Sequence, residues 1–207
     1  MSKDHITVRI ARSLSDFMEV VALRAAVYMS EQDCPFDEEF DGNDLAGLHL
    51  IAAKGGSPIG TIRIRFFADF AKLERLAVLS QHRQTSAAFR LVRMGIDLCR
   101  RKGYQRIYGH AQDRLVSFWK RFGAKPMHGR RKVVFSDFEY TEMLLETAPH
   151  PDAVTLRSDG YVIIRPEGEW GKAGILETSN NRGAKNAARD RWSLADNADA
   201  RLITAAE

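Results

Sequence analysis

The chain has 207 residues, a formal net charge of +4 at pH 7 and a hydrophobic content of 44%. Its length suits one well-buried domain with an appendage, and its composition is typical of a soluble globular protein. No apolar run approaches the ~18 residues of a membrane span, and the positive charge is interspersed with acidic stretches, so neither a membrane nor a nucleic-acid partner is indicated.

The N-terminus and the cysteines indicate the compartment. Residues 1–5 lack the apolar segment of a secretory signal. The only cysteines, Cys34 and Cys99, fall in a predicted loop and a predicted helix, which indicates free thiols of a cytoplasmic protein. We assign neither thiol a catalytic role, and we expect no metal site.

The first elements are a strand and a helix. Residues 5–11 alternate apolar and polar side chains, which predicts a strand. Ser13, followed three residues later by Asp16, predicts the start of a helix. The next segment, Asp33 to Asp44, is rich in acidic residues without the spacing of a calcium loop. It is interpreted either as a solvated loop or as an acidic rim that attracts a cationic amine.

Two strands follow, His49 to Ala53 and Pro58 to Phe67, joined by a Gly-Gly-Ser turn. Arg63 and Arg65 share one face of the second strand. They could pair with Glu74 on the neighbouring strand or hold a substrate carboxylate, and we expect the pairing because cross-strand partners are common.

The stretch from Lys72 to Lys102 runs from a strand through a polar turn into a helix. Its first part, Leu73 to Leu79, is short and apolar, as in a strand covered on both faces. From Ala88 onward apolar residues recur with helical spacing, and Gly103 ends the helix.

The turn before this helix is a candidate anion site. Thr85 or Ser86 can cap the first helical turn. Free backbone N–H groups at a helix start favour an anion, and Arg83 adds positive charge, so a phosphate ligand is one interpretation. The other is a capped helix with Arg83 in solvent.

The remaining elements of the first domain alternate between strand and helix. Tyr104 to His110 is predicted as a strand, Gln112 to Phe122 as a helix, and Lys132 to Phe135 with Glu139 to Glu146 as an antiparallel pair. This order of elements predicts a mixed α/β sheet.

The composition changes past Thr147. A linker leads to residues 154–164, which predict a small hairpin around Ser158-Asp159-Gly160. From Ser179 onward most apolar residues are alanine, which predicts a loosely docked helix, a disordered tail or a dimer contact. The predicted divisions are a domain of residues 1–147, an extension of residues 148–178 and a tail of residues 179–207.

Three segments in chain order carry a family resemblance. They are Leu23 to Pro35 followed by D-G-N-D, the strand L-E-R-L-A-V followed by R-Q-T-S-A-A, and S-F-W-K-R-F-G-A from Ser117. Together they resemble a small bacterial branch of the GCN5-related N-acetyltransferase superfamily over roughly residues 6–147. Two positions depart from the family pattern: Ser86 stands where glycine is usual, and Trp119 stands where a tyrosine usually protonates the leaving thiolate.

The resemblance implies an acyl-CoA N-acyltransferase fold, a mixed and mostly antiparallel central sheet flanked by helices. It also implies transfer of an acyl group, acetyl in our interpretation, from acetyl-CoA to a small-molecule or peptide amine by direct attack in a ternary complex. Two alternatives remain open: a synthase of longer-chain N-acyl amino acids or acyl-homoserine lactones, and a non-catalytic acyl-CoA-binding module.

The same resemblance implies roles for particular residues. Backbone groups of Leu76, Ala77 and Val78 would hold the pantetheine and polarise the thioester carbonyl. The cofactor's pyrophosphate would lie against Arg83, Gln84, Thr85, Ser86, Ala87 and Ala88, with Phe118 also on the cofactor side. The candidates for the catalytic positions are Glu74 and His110, either of which could take the proton of the acceptor ammonium, and Trp119 at the tyrosine position.

Overall fold

The computed structural model describes residues 5–182 and centres on an eight-stranded sheet with the order β1-β2-β3-β4-β5-β8-β6, in which β7 pairs with β8. The strands are β1 (Ile6–Ile10), β2 (Leu48–Lys54), β3 (Ser57–Phe66), β4 (Ala71–Val78), β5 (Arg106–Gln112), β6 (Lys125–Pro126), β7 (Val133–Phe135) and β8 (Phe138–Glu146). Only β4 and β5 run parallel, and the other pairs within the described residues are antiparallel. The predicted mixed, mostly antiparallel sheet is confirmed.

Helices flank this sheet. They are α1 (Leu14–Arg24), continued by a π-helical turn (Ala25–Met29), α2 (Ser30–Gln32), α3 (Phe36–Glu39), α4 (Ala87–Arg101), α5 (Val116–Lys120) and α6 (Gly160–Ile163). The predicted start of α1 is confirmed, because the Asp16 backbone N–H donates to Ser13 Oγ at 3.1 Å and the Ser13 N–H donates to Asp16 Oδ2 at 3.0 Å. This reciprocal pair satisfies two N–H groups that a helix start leaves open.

The apolar side of α4 packs on the sheet. Leu91, Val92 and Cys99 are fully buried on the helix, as are Ile62 and Ile64 on β3. At buried Gly95 a Cβ atom would lie 3.1 Å from a methyl group of Leu73, so the glycine permits a close approach of the helix to β4. The apolar face of α4 that the sequence spacing predicts is therefore the face that packs on the sheet.

The boundaries between β5 and α5 differ from those predicted. The strand starts two residues later than predicted and continues to Gln112, which pairs with Tyr140 on β8. A 3₁₀ turn, Asp113–Leu115, then leads into α5, so the predicted helix from Gln112 to Phe122 is reduced to five residues. Ladder pairing with β8 overrides the local helical pattern at Gln112.

The β7–β8 hairpin is confirmed, whereas the second predicted hairpin is wrong. Ser136 and Asp137 have φ angles of 45° and 61°, the left-handed pair of a two-residue turn that suits strand twist. In residues 154–164 the chain instead forms α6, because the Asp159 carboxylate accepts from the Tyr161 N–H at 2.8 Å and caps the helix.

The chain divides into two units, Met1–Thr155 and Leu156–Glu207. In the second unit Trp170 is buried, and Arg165 donates to the Trp170 carbonyl oxygen and pairs with Glu177. Residues 183–207, most of the predicted tail, lie outside the described residues.

Candidate active site

The parallel strands β4 and β5 separate partway along their length. They are paired over only three residues, ending at Leu73 and Gly109. Just beyond, β4 carries one extra residue against β3, and Arg75 adopts a φ of +55°. Such a bulge bends a strand and redirects its side chains. The separated strands line a cleft with a volume of about 480 Å³.

Most of the residues singled out from the sequence meet in this cleft. Those that line it are Leu76, Val78, Arg83, Ala88 and the three catalytic candidates, Glu74, His110 and Trp119. Gln84, Thr85 and Ser86 are not among its lining residues, and Ala77 and Ala87 are buried in the core. Phe118 packs edge-on against Trp119 with ring centroids 5.7 Å apart, so it supports a lining residue.

Thr85 organises the turn before α4. Its hydroxyl donates to the His82 carbonyl oxygen at 2.7 Å and accepts from the Ala87 N–H at 3.3 Å. Ser86, the other predicted cap, instead accepts from Arg90 Nε at 3.1 Å. Thr85 therefore satisfies one of the open N–H groups of the first helical turn.

Arg83 lies where the sequence places it, before α4 and against the cleft. Its Nε donates to the Val78 carbonyl oxygen at 3.1 Å, and a terminal nitrogen pairs with Glu31 from α2. The guanidinium is about half exposed. The expected positive charge is therefore present at the end of β4, and a carboxylate of the chain partly balances it.

His110 belongs to a hydrogen-bonded chain on β5 and β8. The Tyr108 hydroxyl donates to Glu142 Oε1 at 2.7 Å and lies 2.9 Å from His110 Nε2. Because a phenol has one proton and gives it to Glu142, Nε2 must carry the hydrogen of the second bond. Nδ1 of the neutral ring is then unprotonated, and it has no partner among residues 5–182. Burial, with the nearby charge of Lys72, lowers the pKa of His110 from its ordinary value of 6.5.

Glu74 is held by two cations. Its carboxylate accepts from Arg63 Nε at 2.8 Å and pairs with Lys72 Nζ at 2.6 Å. The expected pairing between Arg63 and Glu74 is thus confirmed. Arg63 is fully buried, so it does not present its guanidinium to a substrate carboxylate.

The acidic segment before β2 is solvated in part, since Asp33 and Asp37 are exposed, but several of its other carboxylates are paired with arginines. Buried Arg24 pairs with buried Glu39 at 2.5 Å. Arg63 pairs with Asp41 at 2.6 Å and with Asp44 at 2.7 Å. Burial disfavours the charge on each aspartate, but hydrogen bonds and charges from the arginines outweigh it and lower both pKa values.

Arg75 was missed by the sequence analysis, although it sits at the bulge in the cleft. Its guanidinium lies 4.6 Å from the Phe135 ring centroid and donates to Asp41 at 3.2 Å. The Tyr28 hydroxyl beside it donates to the Leu76 carbonyl oxygen at 2.9 Å. Adjacent charged residues within an apolar strand, Glu74 and Arg75, were the available signal of a bulge.

The β7–β8 hairpin is fastened at its tip. The Ser136 N–H and hydroxyl donate to Glu38 Oε2 at 2.8 and 3.0 Å. Phe135, Val133 and Tyr140 from the same hairpin line the cleft. One wall of the cleft is thus anchored to α3.

Residues 5–182, the described part of the chain, contain neither a metal-binding cluster nor a membrane-spanning helix. No group of three or more His, Cys, Asp or Glu side chains there could hold a metal ion. No helix there is long and apolar enough to cross a membrane.

Comparisons with known proteins identify the family. A protein of Bacillus subtilis (strain 168) described as an acetyltransferase is 29% identical over 121 residues, 57% of this chain and 82% of that protein. Escherichia coli ElaA shares the fold with a TM-score of 0.62 at 23% identity, over 69% of this chain and 100% of ElaA. The N-acetylglutamate synthase of Neisseria gonorrhoeae, solved with coenzyme A and N-acetyl-glutamate, has a TM-score of 0.53 at 18% identity, over 70% of this chain and 35% of that one.

The family model described as Acetyltransferase (GNAT) family matches residues 15–124, more than half of the 207 residues. The cleft between β4 and β5 lies largely within this match, since Leu73, His110 and Trp119 all fall inside it. The chain therefore belongs to the GNAT acetyltransferase family and is an acyl-CoA-dependent N-acyltransferase.

Proposed function

We propose that the protein transfers an acetyl group from acetyl-CoA to an amine by direct attack in a ternary complex. The observation that carries this proposal is the cleft, because β4 beyond Leu73 has no ladder partner on its β5 side. Backbone N–H groups there are available to a pantetheine chain and a thioester carbonyl, whereas the Leu76 and Val78 carbonyl oxygens already accept from Tyr28 and Arg83. All residues that line the cleft lie within the proposed acyltransferase domain of residues 1–147.

The donor is proposed to lie along β4 toward α4, against Leu76, Val78 and Arg83. In this arrangement Arg83 and the start of α4, a helix of fifteen residues, face the pyrophosphate. The coenzyme A complex of the gonococcal synthase, which shares this fold, supports the same donor.

The acyl group is proposed to be short. Charged side chains line the cleft beside β4, among them Lys72, Glu74 and Arg75. A long alkyl chain gains from an apolar tunnel and loses when it desolvates charged groups. The cleft therefore supports acetyl over the longer-chain alternative.

His110 is our proposed general base. Each oxygen of Glu74 is already engaged by a cation, whereas Nδ1 of His110 keeps an open lone pair among the described residues. A pKa below 6.5 leaves the imidazole neutral at pH 7. In the proposed step His110 takes the ammonium proton, and the amine nitrogen bonds to the acetyl carbon.

The carbon–sulfur bond then breaks, coenzyme A leaves as a thiolate, and the nitrogen gives its second proton to water, so that a neutral amide remains. Trp119 cannot supply a proton, because an indole N–H is not an acid at neutral pH. A thiol resembling cysteine has a pKa of about 8.5, so the thiolate is stable enough to leave and to be protonated by water.

The test follows coenzyme A release from acetyl-CoA with a thiol reagent, in the presence and absence of a panel of amines. We expect amine-dependent release and an acetylated amine by mass spectrometry. The His110→Gln variant should lose this release at least about 100-fold and keep its affinity for coenzyme A in calorimetric titration. Release that never depends on an amine would refute the proposal.

A further inference from the structure

The carboxylates that line the cleft are already bound by the chain. Glu38 accepts from the Ser136 N–H and hydroxyl. Asp41 and Glu74 both pair with Arg63. Among the lining carboxylates, an acceptor with only positive charge would therefore find Glu38 alone without a cation partner, and Oε2 of Glu38 is already engaged by Ser136.

The positively charged side chains of the cleft are not all paired. Lys72, Arg75 and Arg83 are each in an ion pair. Arg114 is the exception, because only its Nε is engaged, donating to Gln112 Oε1 at 2.8 Å. Its two terminal nitrogens have no partner within the part of the chain that the structure describes.

Arg114 is held in place by a short chain of hydrogen bonds. Gln112 is buried, with 6% of its surface exposed, and its Nε2 donates to the Tyr140 hydroxyl oxygen at 3.0 Å. The Tyr140 hydroxyl proton has no acceptor among residues 5–182. Gln112 thus fixes two side chains that keep unused donors, and all three line the cleft.

The free N–H groups of the Arg114 guanidinium, which is always positively charged, suit the two oxygens of a carboxylate. The planar guanidinium of arginine binds a carboxylate through two parallel N–H bonds, and a phenol O–H adds a third. These donors follow His110 along β5, because Gln112 lies two residues further on the same strand face, about 6.6 Å away. An acceptor could therefore place its amine at His110 and an anionic group at Arg114.

We infer that the acceptor amine carries a carboxylate and that Arg114, with Tyr140, binds it. The acceptor is thus an amino acid or a closely similar molecule. This inference rests on the proposed function of the cleft. It also moves the carboxylate contact that the sequence suggested for Arg63 or Arg65 to a different arginine.

The test compares matched probes. L-Amino acids with apolar, polar, acidic and basic side chains are each paired with their own carboxamide, and phosphoethanolamine serves as a phosphate-bearing amine. Acetylation is followed by coenzyme A release. Binding is measured separately, by calorimetric titration of each probe into protein saturated with coenzyme A.

We expect at least one amino acid to be acetylated, and to bind, at least tenfold better than its carboxamide. Arg114→Gln should raise the KM for that amino acid about tenfold or more, leave kcat within about threefold, and erase the preference over the carboxamide. Arg106→Gln is the matched control, because Arg106 is paired with Asp69 and does not line the cleft.

Equal or absent binding of both members of every pair overturns the inference, as does an Arg114→Gln effect that is the same on acids and carboxamides. A preference for phosphoethanolamine overturns it in favour of a phosphate-bearing acceptor. If no amine is acetylated, the proposed function fails, while the titrations still decide whether Arg114 selects a carboxylate.

Discussion

His110 and Glu142 lie directly opposite each other on β5 and β8, and the Tyr108 hydroxyl joins their side chains at 2.9 and 2.7 Å. The carboxylate accepts the phenol proton, so the phenol oxygen is left to accept from the imidazole. Glu142 thereby determines which nitrogen of His110 is unprotonated without touching the ring. Carboxylates orient metal-binding histidines through hydrogen bonds in a similar way, and here the carboxylate acts on the histidine through a tyrosine.

Two substitutions should shift the acidic limb of the profile of kcat/KM against pH in opposite directions. Glu142 raises the pKa of His110, and Lys72 lowers it. Activity requires the neutral ring, so it rises with pH through this pKa. Glu142→Gln should therefore move the limb to lower pH, and Lys72→Met to higher pH, each by about half a unit or more. Shifts in the same direction would exclude His110 as the titrating base.

Coenzyme A affinity should fall when Arg83 is replaced but not when its partner Glu31 is replaced. Arg83→Gln removes a positive charge from the proposed pyrophosphate position and should weaken binding about tenfold, ~1.4 kcal/mol. Glu31→Gln, the control, releases Arg83 from its ion pair, so affinity should stay equal or increase. Calorimetric titration decides, and an unchanged dissociation constant in Arg83→Gln would place the phosphates elsewhere.

Removing Arg63 should destabilise the fold. Its substitution by methionine leaves Asp41, Asp44 and Glu74 without their shared buried partner, which should cost about 3–5 kcal/mol in urea unfolding at pH 7. Arg106→Met, which breaks an exposed pair with Asp69, should cost less than ~1 kcal/mol.

The loss of stability in Arg63→Met should also depend on pH. The aspartates have lowered pKa values in the folded protein, so their pairing stabilises above the unfolded value of 3.8 and is lost as pH falls through the folded values. Protonation also relieves the three carboxylates in the variant, which have lost Arg63 and keep Arg75, Arg24 and Lys72 as partners. The difference between Arg63→Met and the natural protein should therefore begin to shrink as pH falls below about 4 and should continue to shrink as pH falls through the lowered folded values. A constant difference would mean that lost packing, not charge, destabilises the variant.

The sequence predicted the parts of this protein that depend on local pattern. The capping box at Ser13, the amphipathic face of α4 and the β7–β8 turn all follow from spacings of a few residues. The bulge at Arg75 and the extension of β5 to Gln112 were not predictable in that way, because both are set by pairing with distant strands. The ion pairs of the acidic segment were unpredictable for the same reason, since its arginine partners come from α1, β3 and β4.

The candidate site also combines features that local sequence predicts with features that depend on distant residues. His110 was proposed from its place at the end of a predicted strand, but its tautomer depends on Tyr108 and on Glu142, which is 32 residues away in the chain. Arg114 carried no sequence signal of its own, because what distinguishes it is that the other cations of the cleft have partners. Such a contrast exists only once the fold is formed.

Trp119 provides the last prediction. If the thiolate leaves without concerted protonation, Trp119→Tyr should change kcat by less than about tenfold, ~1.4 kcal/mol. Trp119→Ala should do more harm, because the ring packs against Phe118 and Phe122 with centroids 5.7 and 6.4 Å away. Loss of so large a side chain should lower stability by about 3 kcal/mol, measured by urea unfolding.

Trp119→Phe separates acid chemistry from packing, because phenylalanine matches tyrosine in shape and has no proton to give. The two variants should have equal kcat values between about pH 6 and pH 9, which covers the titration range of the departing thiol. If the tyrosine variant is a hundredfold faster than the phenylalanine variant, a positioned phenol accelerates the reaction by ~2.7 kcal/mol. Protonation of the leaving group would then limit the natural protein, and departure as a free thiolate would be refuted.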